Sequence, residues 1–138
     1  MKKTILAIIS MIIFAGNLFA QYKDYKVVFD MSTRDSISQQ AVIREVQLIK
    51  DNNPDALMEV VVYGQGINLV LKNKSTQAAS ISNLAADKNI NFTVCAFTLK
   101  RLGLKESDLV TGVKIVPDGI YEIINKQRDG WGYIKVAH

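Results

Sequence analysis

The sequence predicts an α/β fold, a three-layer α/β/α sandwich around a mostly parallel five-stranded sheet. Two observations predict it. Strand-like and helix-like segments alternate from Tyr25 to Val136, the order produced by parallel strands joined through helical crossovers. The strand centres are near-continuous apolar runs, such as Val60-Val61-Val62, rather than alternations, which marks strands covered on both faces.

The elements follow in order. Tyr25 to Met31 reads as a strand buried on both faces at its centre. Ser32 to Ser38 is polar and turn-like, and a helix follows from Ser38. On that helix Val42, Val46 and Ile49 share one face, flanked by Ala41 and Leu48, while Gln40, Arg44, Gln47 and Asp51 share the other. Asn52-Asn53-Pro54-Asp55 ends it. Leu57 to Tyr63 is the second strand, broken by Gly64-Gln65-Gly66, and Ile67 to Leu71 suits a short helical turn. Ser75 or Thr76 is placed to cap an alanine-rich helix. Ile90 to Cys95 is the third strand, and a short helix from about Thr98 to Leu102 stops at Gly103. Another helical turn is expected over Lys105 to Val110, and a fourth strand over Val113 to Val116, stopped by Pro117. Asp118 caps a last helix on which Ile120, Ile123, Ile124 and Gln127 form a stripe. Gly130 ends that helix, and Tyr133 to Val136 is the fifth strand.

The first twenty residues read as a leader outside this fold. Lys2 and Lys3 precede an apolar run, Thr4 to Phe14, and a short exit through Ala20, the layout of a secretory signal peptide. The run is shorter than the roughly 20 residues of a membrane span. Cleavage is expected near Ala20, although Leu18 is larger than the usual small residue there. The mature domain would then be residues 21–138, periplasmic or secreted, with no membrane attachment. Without Lys2 and Lys3, the 17 basic residues fall to 15 against 13 acidic ones, so the net charge drops from +4 to +2. That charge is too small to argue for nucleic acid.

Candidate chemistry is sparse. Cys95 is the one cysteine and His138 the one histidine, so an internal disulfide, a Cys–His pair or a histidine-rich metal site has almost no material. No metal or cofactor is expected. In open parallel sheets ligands bind beyond the C-terminal ends of the strands. The turns that fall there contain Tyr63, Gly64, Gln65, Gly66, Cys95, Asp118 and Gly119. Cys95 reads either as an inert core thiol or as a reactive one beside a helix start, whose partial positive charge favours thiolate. Gly64-Gln65-Gly66 falls short of any phosphate-loop fingerprint and suits a tight turn. Asp118 reads as a cap without a carboxylate partner. Lys100, Arg101 and Lys105 read as a solvated face or an anion site. Trp131 and Tyr133 suit edge packing or an oligomer contact.

Three segments carry a resemblance: VVVYGQGINLV (60–70), NFTVCAFTL (91–99) and GVKIVPDGIYEIINKQRDGWGYIK (112–135). Together they resemble the DsrE/DsrF-like family across nearly all of the mature chain. The resemblance implies an α/β sandwich that assembles as a homo-oligomer, a trimer or hexamer. It also implies a persulfide-carrying role for Cys95, with a sulfur donor or acceptor protein as partner. Tyr63 stands where such proteins often have histidine. Sulfur transfer needs a second thiol to accept the sulfur, and this chain has only Cys95, so the acceptor would come from elsewhere. Two other readings stay open: a non-catalytic small-ligand or partner-binding module with Cys95 as lining, and an oligomeric scaffold.

Overall fold

The computed structural model describes residues 24–137. The expected leader therefore lies outside the described residues, as does His138. The described chain forms five strands: β1 (Lys26–Met31), β2 (Leu57–Val62), β3 (Ile90–Cys95), β4 (Val113–Val116) and β5 (Gly132–Lys135). Four α-helices connect them: α1 (Ser36–Asn52), α2 (Ala78–Ala85), α3 (Ala96–Leu102) and α4 (Gly119–Arg128). Two 3-10 helices, Gly64–Val70 and Glu106–Asp108, stand where helical turns were expected. Among the described residues no helix is long and apolar enough to cross a membrane.

All strand pairings are parallel, and the order across the sheet is β4-β3-β2-β1-β5. This order explains the layers. The crossovers β1 to β2, β2 to β3 and β3 to β4 step in one direction, so their right-handedness puts their helices on one face. The crossover from β4 to β5 runs the opposite way to the far edge, so the same handedness puts α4 on the other face. The larger core follows, with Phe29, Met31, Val60, Val62, Phe92 and Val94 packed under Val42, Ile43 and Val46 of α1 and Ile81 and Leu84 of α2. The opposite face has a small core of Val28, Val61 and Ile123, with Tyr63 and Trp131 at its margin.

Helix boundaries differ from expectation where capping decides them. α1 starts two residues early because Asp35, not Ser38, is its N-cap: Ser38 N donates to Asp35 Oδ2 at 2.6 Å. α2 starts after Gln77, because Ser75 and Thr76 lie in the preceding turn, where Gln77 N donates to Ser75 Oγ. α3 begins directly at Ala96, so Cys95 is its N-cap residue. α4 is capped as expected by Asp118, whose Oδ1 accepts from Ile120 N at 2.8 Å and Tyr121 N at 3.2 Å. The chain covers its isoleucine stripe only in part: Ile123 is buried, but Ile120 and Ile124 are 56% and 45% exposed. On this side Ile123 packs with Val28 and Val61, beside the buried polar residues Asp30, Glu59 and Thr93.

Candidate functional site

Cys95 ends β3 on the face covered by α4. The α4 helix approaches so closely that a Cβ on Gly119 would lie 3.2 Å from Cys95 Cβ, 3.3 Å from Val61 Cγ1 and 3.4 Å from Tyr63 Cβ. Glycine at 119 is therefore what lets the start of α4 rest against the ends of β2 and β3. The thiol residue is 6% exposed. It lines an open pocket of about 290 Å³ with Tyr63, Gly64, Thr98, Arg101 and Asp118. The Gly64 amide donates to Thr98 Oγ1 at 3.0 Å, which fastens the turn after β2 to the first turn of α3.

Most of the residues singled out in the sequence thus meet at one place: Cys95, Tyr63, Gly64, Asp118 and Gly119. Asp118 contributes there mainly as the cap of α4. Gly66 plays a packing part, because a Cβ on it would sit 2.5 Å from the Met31 carbonyl oxygen. Gln65 faces a neighbouring cleft, where its Oε1 accepts from Arg34 Nε at 3.1 Å. Of the basic residues after Cys95, Arg101 reaches the pocket. Lys105 instead opens the second 3-10 helix, its amide donating to Asp108 Oδ2 at 2.8 Å.

A polar network adjoins the site on the side of β1 and β5. Lys135 Nζ lies 2.8 Å from Asp30 Oδ1 and 2.6 Å from Ser32 Oγ. Tyr133 donates its hydroxyl to Asp30 Oδ2 at 2.7 Å. Lys135 Nζ also sits 5.7 Å from the centre of the Tyr63 ring. Burial works against the charge of Lys135, but the hydrogen bond and charge of Asp30, together with Tyr63, outweigh it and hold the ammonium above its usual range. The Tyr133 phenol is pushed up to about 12, first by its bond to Asp30 and then by burial. Asp30 is not among the residues singled out in the sequence, although an acid inside an apolar strand is itself a signal, because buried charges demand partners. Its partners Lys135 and Tyr133 lie more than a hundred residues away and carried no local signal. Among the described residues no cluster of histidine, cysteine or carboxylate could hold a metal ion.

A model of the DsrE/DsrF-like family matches residues 23–136. MTH1491 from Methanobacterium thermoautotrophicum, described as a protein of unknown function, superposes with a TM-score of 0.75 at 30% identity, covering 81% of this chain and 99% of its own. The YchN protein of E. coli superposes with a TM-score of 0.67 at 11% identity, covering 81% and 98%. BT1422 from Bacteroides thetaiotaomicron, a conserved protein of unknown function, gives 0.66 at 15%, covering 80% and 93%. At those identities the last two speak to the fold alone. No curated protein matches the chain.

Proposed function

The chain belongs to the DsrE/DsrF-like family, and from that premise we propose that it carries sulfur as a persulfide on Cys95. The observation that supports this is the position of Cys95. It stands at the C-terminal end of β3, lining an open pocket that Tyr63, Gly64 and Asp118 share. In the proposed step the Cys95 thiolate attacks the outer sulfur of a donor persulfide. A new S–S bond forms to Cys95, the donor's S–S bond breaks, and the donor leaves as a thiolate, with no net oxidation. The reverse exchange hands the sulfur to an acceptor thiol from another molecule.

The burial of Cys95, 6% exposed, favours a second reading in which the pocket holds a small ligand and the thiol only lines it. Mass spectrometry after exposure to polysulfide separates the two, with Cys95→Ser as the blank. The carrier reading expects one added sulfur atom on native Cys95 and none in the variant. If native Cys95 gains no sulfur and alkylates only after unfolding, the ligand-binding reading replaces it.

Export and self-association belong to the same proposal. Lys2, Lys3 and the apolar run after them support export, and the intact mass of the exported protein should begin near Gln21. A chain retaining Met1 would overturn it. The exposed apolar residues Ile120, Tyr121 and Ile124 of α4 support self-association.

A further inference from the structure

Beside the Cys95 pocket lies a second cleft of about 300 Å³, and the two share Gly64 and Arg101 as a common wall. Arg34, Lys74 and Arg101 line it together with the amide side chains of Gln65 and Asn68, and none of its lining residues is acidic. Three described lysines elsewhere are neutralised by carboxylates: Lys50 by Asp87, Lys126 by Glu59 and Glu122, and Lys135 by Asp30. No described carboxylate pairs with Arg34, Lys74 or Arg101, and the Asn68 amide is engaged by no described residue. Three cations lining one small cleft lie within about a Debye length of a common ligand at ~0.1 M salt, so their attraction for an anion adds. Two arginines also offer the planar donor forks that suit oxyanions.

We propose that this cleft is an oxyanion subsite, which holds the sulfonate- or phosphate-like end of a ligand whose other end enters the Cys95 pocket past Arg101. The first half stands on the cleft alone, whereas the link to Cys95 rests on the carrier reading above. The sharing of Arg101 gives the geometry its meaning, because one guanidinium forms part of both walls.

Two measurements test the halves separately. The first is titration with inorganic sulfate and with thiosulfate at constant ionic strength, chloride being the balancing anion, in the wild type and in Cys95→Ser. Saturable one-to-one binding is expected in both, weakened roughly fivefold by Arg101→Ala and by Lys74→Ala. Lys88→Ala, an exposed lysine outside the cleft, should leave it unchanged. Absence of saturable binding in the millimolar range overturns the subsite, and so does an equal loss in Lys88→Ala. The second is the alkylation rate of Cys95 by anionic iodoacetate relative to neutral iodoacetamide. Arg101→Ala should lower that ratio roughly fivefold, and an unchanged ratio overturns the link to Cys95. If Cys95 reacts with neither reagent while Cys95→Ser still binds sulfate, the carrier reading and the link fall and the subsite stands.

Discussion

Glu59 and Asp30 are carboxylates that the sheet buries to 2% and 6% exposure, and each is met by a lysine from a distant segment. Lys126 Nζ lies 2.7 Å from Glu59 Oε2, and Thr93 donates its hydroxyl to Glu59 Oε1 at 2.9 Å. Lys126 also stacks 4.5 Å from the centre of the Trp131 ring. Removing one member of a buried pair leaves an uncompensated charge and costs more than the pair contributes. Lys126→Met should therefore lower unfolding stability by about 3 kcal/mol, and adding Glu59→Gln should recover about 1 kcal/mol or more. Denaturant unfolding of the single and double variants measures this, and additive losses would refute the coupling. A second residue-scale prediction concerns Gly66. Its missing Cβ would lie 2.5 Å from the Met31 carbonyl oxygen, which is backbone and already accepts from Tyr63 N at 3.2 Å. Gly66→Ala must push the 3-10 helix off the end of β1, with an expected loss of about 2 kcal/mol. Denaturant unfolding within about 0.5 kcal/mol of wild type would show that the turn yields freely. The sequence showed Gly66 only as part of a turn, because nothing local announces a contact with a strand 35 positions earlier.

Among the elements, α4 departs furthest from what its sequence implies. Its isoleucine periodicity correctly announces a helix and its cap, and the spacing places Ile120, Ile123 and Ile124 on one stripe. Periodicity gives a helix an apolar face but does not say that the same chain covers it. Here Ile123 alone is buried, while Ile120, Tyr121 and Ile124 remain 56%, 58% and 45% exposed. Edge strand β5 adds Tyr133 and Ile134, each 42% exposed. Scattered apolar side chains on a surface need no explanation, but a run on one short helix marks a site of association. We expect the protein to self-associate through this helix. Light scattering at micromolar concentration should give more than the monomer mass, and Ile124→Lys should shift the population toward monomer by roughly tenfold in dissociation constant. Because Ile124 is exposed, the variant should melt as a folded protein. A monomeric wild type, or an assembly indifferent to Ile124→Lys, would exclude α4 as the contact.

Across the whole molecule, alternation of strands and helices was enough to foresee parallel pairing, but not the order in which the strands lie. The return of β5 to the edge beside β1 sets the character of the second face, and no local residue pattern encodes it. One ten-residue helix covers that face, so its apolar core is small and ionic contacts fasten the rest. Lys126 ties α4 to β2 through Glu59, and Lys135 and Tyr133 tie β5 to β1 through Asp30. This gives the fold a predictable weakness toward base. Burial opposes the charge of both lysines, but their carboxylate partners outweigh it, so each is held above its ordinary 10.5. Folding therefore favours the protonated lysines. Their contribution is complete below about 10.5 and is lost as pH climbs through the raised folded values. Tyr133 acts in the same sense: the neutral phenol donates to Asp30, and its rise from 10.0 to about 12 makes that contribution vanish as pH passes through about 12. Stability should fall steeply from pH 10 to about 12. The fall should be shallower in Lys126→Met and in Tyr133→Phe, which lack one of the titrating partners. Denaturant midpoints measured across this range decide it. Equal slopes in the wild type and both variants would show that general alkaline charging, and not the fastening of the second face, governs the loss.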